Sequence, residues 1–379
     1  MSRLWLRAMV LGVACLGLSA AGQGTAAPAK RVGVFVHERS SSVDRIFVYS
    51  LNEKSGALGR VKGSPFLAST ATELMAVTFD SLSVAYSEPD GMLFSASAKG
   101  ISAFRVDSRL KLTPVPGSPF GAGHIFSVAL ARKNNQTFVY GPAYFPDGKG
   151  IRGFALQPDG TLVEVPGSPF EPSGGSFTAP VVLGDVLVVL KAGQFVINNG
   201  EVVTFRIQAD GSLAAGPRFA YDLDAFHPYL ARAGAIVFLP EINRRRLVSL
   251  LLDPLTGGMT AAAGSPFALN TQLTAGRIAL ASSGDLTVFF DGVPPDGKLH
   301  AQAATVNADG TLTPRGALQA LTAPSPTMGV ISPKRTCLVT AGAAEVRTFR
   351  LSAATGQLRT GRRAALGVSN VDGIAIGVR

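Results

Sequence analysis

The stretch 151–170, IRGFALQPDGTLVEVPGSPF, contains the features that recur along the whole chain. It opens with the strand-like pattern Ile-x-x-Phe-x-Leu. The pair Asp159-Gly160 follows, and Asp-Gly supplies the positive φ that a tight hairpin turn needs. Leu162 begins a second apolar segment, which ends in the tetrapeptide Gly-Ser-Pro-Phe. These residues therefore predict two strands joined by a hairpin.

The same unit occurs seven times. The tetrapeptide stands at 63–66, 117–120, 167–170 and 264–267, and such repetition indicates a structural role for its serines. An apolar residue stands five positions before each of these glycines, and three further copies keep it without the tetrapeptide: Leu58, Leu112, Leu162, Leu213, Met259, Leu312 and Leu358. Their spacings of 54, 50, 51, 46, 53 and 46 residues show a regular repeat.

Each unit also contains two strands upstream of the hairpin. In the third unit these are 127–131 and 137–140, and in the last unit 328–332 and 336–339. The hairpin strands alternate with period two, as at Ile101–Val106. Four antiparallel strands in about fifty residues form the blade of a β-propeller. The sequence therefore predicts an all-β, seven-bladed propeller.

The two ends of the chain predict how the ring closes. Residues 31–62 supply three strands of a blade, and the missing innermost strand stands at 373–377. A C-terminal strand that pairs with the N-terminal blade would fasten the ring. An open solenoid would instead show polar capping repeats.

The first 27 residues are interpreted as a signal peptide. Arg3 and Arg7 precede an apolar run from Leu11 to Leu18, and small residues follow. A lipoprotein signal at Cys15 is a weaker alternative, because Gly12 stands where a branched apolar residue is expected. The propeller then spans 31–379, in the periplasm or secreted. The apolar run is too short for a good membrane anchor, and no transmembrane segment is expected.

Charge and cysteine content limit the partners. Removing residues 1–27 takes away two arginines and no acids, which lowers the net charge from +10 to +8. The basic residues are scattered, apart from Arg244–Arg246. Such a chain suits a small anionic ligand or an anionic envelope surface better than nucleic acid. Cys337 is the one cysteine left and is expected in the core, and the chain is expected to be a monomer.

The repeat resembles the β-propeller lactonase family, which includes bacterial 6-phosphogluconolactonase and the fungal carboxymuconate cyclase. The pattern Ile-x-x-Phe-x-Leu, Asp/Thr-Gly-x-Leu, Val-Pro-Gly-Ser-Pro-Phe carries the resemblance and is complete at 151–170. It covers residues 31–379. The resemblance implies a seven-bladed ring and suggests lactone chemistry, although no catalytic motif of the family matches residue by residue.

Strand parity places the reactive side chains on one face of the ring. The links between blades and the loops between second and third strands meet there, and they carry the four histidines. Polar residues recur three positions before the innermost strand in six of the seven units: Asn370, Asp80, His124, Ser176, Thr274 and Ser325. Ligand sites of propellers are expected where such longer connections converge.

A lactonase needs a base that activates water and a cation that holds the oxyanion. His124 or His227 is the predicted base, and Glu241 is predicted to orient it. Arg277 is predicted to hold the oxyanion or a substrate carboxylate, and further substrate contacts are predicted from Asp80, Asn370 and Arg244. No metal or cofactor is expected. Two functions stay open: a hydrolase or isomerase acting on a lactone or similar small acid, and a non-catalytic propeller that binds a protein, glycan or envelope ligand.

Overall fold

The computed structural model describes most of the chain beyond residue 29. The described ranges are 30–39, 43–69, 83–121, 123–144, 150–171, 176–192, 200–221, 231–241, 246–268, 278–283, 285–291, 298–322, 328–342, 345–368 and 371–379. The predicted signal peptide, 1–27, lies outside them. Within these ranges, no helix has the length and apolar character that crossing a membrane requires.

The described residues form thirty-one strands in seven antiparallel sheets, and each sheet is one blade. Blade 1 contains β1 (Val32–Arg39), β2 (Asp44–Asn52), β3 (Ala57–Arg60) and β4 (Phe66–Ser69). Blade 2 contains β5 (Val84–Ser87), β6 (Met92–Ser97), β7 (Gly100–Val106) and β8 (Leu112–Pro114). Blade 3 contains β9 (His124–Ile125), β10 (Ala129–Lys133), β11 (Gln136–Tyr144), β12 (Ile151–Leu156) and β13 (Leu162–Glu164). Blade 4 contains β14 (Ser176–Leu183), β15 (Val186–Ala192), β16 (Gly200–Ile207) and β17 (Leu213–Tyr221).

Blade 5 contains β18 (Ala231–Ala233), β19 (Ile236–Glu241), β20 (Arg246–Leu252), β21 (Met259–Ala261) and β22 (Phe267–Ala268). Blade 6 contains β23 (Ile278–Ser283), β24 (Leu286–Asp291), β25 (Lys298–Val306) and β26 (Leu312–Thr322). Blade 7 contains β27 (Met328–Ile331), β28 (Cys337–Ala341), β29 (Glu345–Leu351) and β30 (Leu358–Ala365). The last strand, β31 (Val371–Val378), belongs to blade 1. We call the four strands of each blade A to D, from the innermost outward.

The C-terminal strand closes the ring as predicted. The order in blade 1 is β3-β2-β1-β31, so β31 is strand A of the N-terminal blade. Arg31 and Arg379 exchange two backbone hydrogen bonds of 2.8 Å at the end of this pairing. The all-β, seven-bladed fold is therefore confirmed, together with its closure.

The seam between blades 7 and 1 is packed like the interior of a domain. Val34 and Phe47 of blade 1 share one buried cluster with Val339 and Val346 of blade 7. The neighbouring Cys337 is fully buried in the same cluster, as its apolar surroundings predict.

Each Gly-Ser-Pro-Phe tetrapeptide bonds to the interior of strand C of its blade through its serine. The serine hydroxyl oxygen accepts a hydrogen bond from a strand C amide, at 2.8 Å for Ser64, 2.9 Å for Ser118, 3.2 Å for Ser168 and 3.0 Å for Ser265. The phenylalanine then resumes the pairing, as Phe120 does with Ile101. The serines therefore serve the fold.

Blades without the tetrapeptide use a longer strand D. In blades 4, 6 and 7, strands β17, β26 and β30 run for nine, eleven and eight residues. Each pairs with strand C through one register shift. A bulge thus replaces the tetrapeptide where the sequence lacks it.

The turn at Gly160 yields a stability prediction. This glycine has a φ of +90°, as the Asp-Gly pair predicts, and an added Cβ would lie 3.2 Å from Met92, Arg105 and Val115 of blade 2. We expect Gly160→Val to lower the free energy of unfolding by ~1 kcal/mol or more, because valine resists positive φ. Denaturant unfolding measures the change, with Gly184→Val as control, since nothing lies within 4 Å of a Cβ there. Gly184 also has a positive φ, so the difference between the two variants measures the effect of contact with blade 2. If Gly160→Val loses no more stability than Gly184→Val, that contact adds nothing.

Candidate functional site

One end of the ring, which we call the loop face, contains the B-to-C loops and the D-to-A links. Strand B of blade 1 ends there at Arg39, and strand C begins there at Asp44, its partner in register. Ser83, at the entry to strand A of blade 2, lies at the same end and contacts this region. The ends of strands B and C of blade 1 and the start of strand A of blade 2 therefore lie together at the loop face.

A buried polar cluster lies at this face in blade 1. His37 and Asp44 have no exposed surface, and Glu38 and Asp372 are 2% and 3% exposed. Arg39 is part of the same cluster. Buried ionisable groups cost free energy unless they are paired, and fold stability alone does not favour such a cluster.

Arg39 links three blades. Its Nη1 lies 3.1 Å from Oδ2 of Asp372 in strand A of its own blade. Its Nη2 donates a 3.0 Å hydrogen bond to the carbonyl of Ala96 in blade 2. Its guanidinium carbon lies 5.8 Å from the ring centre of Phe126, at the entry to blade 3. The guanidinium is thus held in one orientation by an ion pair, a carbonyl and an aromatic face.

A bulge directs Asp372 towards Arg39. The pairing of β1 with β31 shifts register between His37 and Glu38, where Glu38 faces Val371. Asp372 is the extra residue that this shift leaves between the paired positions. Bulges re-aim side chains and are frequent next to active sites. The strand that closes the ring therefore also supplies the counter-charge of Arg39.

Asp44 is a carboxyl group held in an unfavourable environment. Neither of its oxygens has a hydrogen-bond partner among the described residues. Burial raises its pKa from 3.8 to about 6; the nearby Arg39 opposes the rise, while Asp372 and Glu38 add to it. The carboxyl group of Asp44 therefore titrates at a pKa of about 6.

His37 is a neutral imidazole in the same cluster. Burial, with a further contribution from the charge of Arg39, holds its pKa well below 6.5. Its Nδ1 lies 2.8 Å from the hydroxyl of Ser83 in blade 2. Its Nε2 has no hydrogen-bond partner in the described parts of the chain.

A second ion pair lies on the opposite side of the same strands. Arg45 donates hydrogen bonds to both carboxylate oxygens of Glu38, at 2.5 and 2.9 Å. Its guanidinium also lies over the ring of Phe47, which packs towards blade 7. In this pair, as in the Arg39–Asp372 pair, the acidic side chain is buried. It provides a matched control for substitutions of Arg39.

The raised pKa of Asp44 makes a signed prediction. A carboxyl whose pKa is higher in the folded than in the unfolded state destabilises the fold at pH values above its folded pKa. For Asp44 this cost decreases as the pH falls from about 6, the folded value, to 3.8, the unfolded value. We expect Asp44→Asn to raise the free energy of unfolding by about 3 kcal/mol at pH 7.5. The gain should shrink below pH 6 and vanish near pH 3.8. A loss of stability at pH 7.5 would show that the carboxylate is favourably held.

Of the predicted site residues, one is fully described. His124 lies in β9, half-buried, opposite Tyr144 of β11. Glu241 ends β19 opposite Arg246, the register position that Arg39 and Asp44 occupy in blade 1, but its side chain lies outside the described residues. The predicted residues His227, Arg277, Asp80, Asn370 and Arg244 also lie outside them.

The described cluster nevertheless adjoins three predicted residues in the chain. Phe126, which contacts Arg39, is two residues after His124. Ser83 is three residues after Asp80, and Asp372 is two residues after Asn370. In three blades, therefore, the polar residue before strand A is within three residues, along the chain, of a member or contact of the cluster.

The sequence did not reveal the roles of Asp44 and Asp372. Their signal is weak, because each stands beside an apolar strand and belongs to no motif. Side-chain burial and the bulge in β31 distinguish them. In the described ranges, no group of three or more His, Cys, Asp or Glu side chains is arranged to hold a metal ion.

Comparison with solved structures defines the fold further. The periplasmic gluconolactonase of Pseudomonas aeruginosa matches with a TM-score of 0.65 and 17% identity, over 92% of this chain and 98% of that one. A protein assigned as a 6-phosphogluconolactonase from Bacteroides fragilis matches with a TM-score of 0.60 and 17% identity, over 92% and 98%. A similar protein from Bacteroides uniformis gives 0.63 and 16%, over 92% and 99%.

At these identities the likeness shows the fold. No protein-family model matches the sequence, and no curated protein does. The chain is thus a seven-bladed propeller with the architecture of the lactonase-type propellers, and the resemblance seen in the repeat is confirmed at that level.

Proposed function

We propose that this chain is an exported hydrolase that opens a small lactone at the loop face. The observation that carries the proposal is the fixed guanidinium of Arg39 among buried carboxyl groups at that face. Natural proteins retain such costly arrangements chiefly at functional sites. The solved propellers with this fold include a periplasmic gluconolactonase, which supports the same chemistry and compartment.

The proposed reaction is addition of water to the ring carbonyl. A base takes a proton from water as the oxygen bonds to the carbonyl carbon, and the carbonyl oxygen becomes an oxyanion. The oxyanion then re-forms the carbonyl, the ring C–O bond breaks, and the alkoxide leaving group takes up a proton. The product is an open hydroxy acid.

The residues divide these tasks. His124 or His227 serves as base, and Glu241 orients it. Arg39, 15% exposed at its side chain, stabilises the oxyanion, because a cation fixed in advance needs no reorganisation during the reaction. Arg277 binds the substrate.

The remaining predicted contacts complete the proposal. Asp80, Asn370 and Arg244 bind the polar groups of the substrate. Asp372 and Asp44 act through Arg39, which makes them positioning residues. The resulting site favours an anionic or strongly polar ligand, in keeping with the positive charge of the chain.

A binding propeller without turnover is the second candidate. The complete burial of His37 and Asp44 favours it, because a cluster closed to solvent can serve as a staple between blades. The loop face would then bind a protein, glycan or envelope ligand.

Hydrolysis assays distinguish the two functions. The protein without residues 1–27 is tested on aldonolactones and muconolactone-type substrates between pH 5 and 9, with acid release as readout. We expect turnover that rises with a histidine-like pH dependence near neutrality. No turnover on any lactone, with ligand binding mapped to the loop face, would instead establish the binding function.

A further inference from the structure

The excess positive charge of this protein is concentrated in one blade. Basic residues are scattered along the sequence, yet blade 7 (residues 328–368) contains seven Lys or Arg and one Glu. The chain without residues 1–27 has a net charge of +8, and blade 7 alone contributes an excess of six. Because blade 7 is one continuous repeat of the sequence, most of the excess charge lies in that repeat, and the fold places it on one sector of the ring.

The outermost strand of blade 7 presents much of this charge. Arg359, Arg362 and Arg363 are exposed on β30. None of the three makes an ion pair with the part of the chain that the structure describes. Arg359 stands opposite Arg350, and Arg363 opposite Arg347. Like charges across a ladder destabilise a sheet, so folding does not account for this arrangement.

The outer strand of blade 1 extends the same surface. Strand β3 contacts β30, and Arg60 and Lys62 are exposed at and just beyond its end. The chain continues into β4, where Leu67 is 53% exposed, an unusual state for a large apolar side chain here. We call Arg359, Arg362, Arg363, Arg60, Lys62 and Leu67 the basic seam.

The shape of the basic seam suits an extended anionic surface. Its cations are exposed side chains on or just beyond the outer strands of two blades. Arginine binds phosphate oxygens with two parallel hydrogen bonds, which suits lipid headgroups. An exposed leucine beside these cations can insert into the apolar region below the headgroups, and its burial there stabilises the bound state. A soluble polyanion has no such apolar region.

We propose that the basic seam docks this propeller on a membrane rich in anionic phospholipid. Each cation near such a surface contributes about 1 kcal/mol, so five suffice for reversible binding that salt weakens. In this orientation the rim of the ring rests on the membrane. The loop face then stands at its side, open to solvent.

Protection of an exposed edge is the competing explanation for charges on β30. Charged side chains on outer strands prevent pairing with other chains, and acids do so as well as bases. The variant Arg359→Glu/Arg362→Glu/Arg363→Glu therefore keeps a charged edge while it removes the attraction to phosphate. The control Lys99→Glu/Arg109→Glu/Lys111→Glu changes three exposed residues of blade 2 by the same total charge.

The test is sedimentation of the protein lacking residues 1–27 with vesicles. We expect binding to phosphatidylcholine vesicles containing about 30% phosphatidylglycerol, no binding to phosphatidylcholine alone, and release in about 1 M salt. The blade 7 triple variant should bind at least about tenfold more weakly, and the blade 2 variant within about twofold of the parent. Leu67→Ser should weaken vesicle binding and leave binding to heparin unchanged.

Two results would overturn the proposal. Equal losses in the two triple variants would show that net charge alone drives binding. Binding of the parent to heparin but not to anionic vesicles would identify a soluble polyanion as the occupant. Melting curves of every variant guard against misfolding, and Arg359→Gln/Arg362→Gln/Arg363→Gln replaces the reversal if that variant does not fold.

Discussion

Deletion of residues 371–379 is expected to lower the melting temperature by about 10 °C or more, or to prevent folding. The deletion removes all of β31, with the buried side chains of Val371, Ile374 and Ala375. Each large apolar side chain buried is worth about 1.5–3 kcal/mol, and the loss approaches the whole stability of a typical domain, about 5–15 kcal/mol. It also exposes β1 as a long apolar edge.

A permuted chain supplies the matched control. Because Arg379 and Arg31 are backbone partners, a two-residue Asn-Gly hairpin can join β31 directly to β1. A chain that runs 371–379, Asn-Gly, 31–368 should recover most of the lost melting temperature. A deletion variant that melts like the parent would contradict closure by β31.

Replacement of His124 and His227 together by alanine is expected to abolish lactone turnover. Loss of the general base typically costs 10²–10⁴-fold in rate, and the second histidine is removed so that it cannot substitute for the first. The fold should survive, since His124 is half-buried and lies in a two-residue strand. Steady-state kinetics and a melting curve measure the two effects.

His300→Ala is the comparison for this double variant. His300 is a half-buried histidine in the third position of β25, close to the loop-face end of its blade. Turnover near that of the parent is expected. Full activity in the double variant would remove both histidines from the mechanism.

The repeat predicts the fold because its signals are local. Asp-Gly turns such as that at Gly160 require positive φ, and the chain shows it there. The seven anchor residues, Leu58 to Leu358, are the first or second residue of strand D in their blades. Closure was predictable as well, since 373–377 is the strand that the first blade lacks.

The candidate site is less accessible to sequence reasoning. Parity identifies the face, and the residue before strand A identifies the neighbourhood of Asp372 and Ser83. The pairing of Arg39 with Asp372 depends on a one-residue bulge, and Asp44 is buried beside Arg39, Glu38 and Asp372, which come from two other strands of blade 1. Neither is encoded in a local pattern.

The catalytic function of the loop face is tested most directly by kcat/KM for an aldonolactone in Arg39→Lys and Arg45→Lys. Both changes replace an arginine that pairs with a buried acid of blade 1. Lysine keeps the charge and loses the planar fork that holds Arg39 between Asp372 and Ala96. We predict that Arg39→Lys lowers kcat/KM at least about tenfold, while Arg45→Lys stays within about twofold of the parent. Equal activity in the two variants would contradict the assignment of Arg39 to the site.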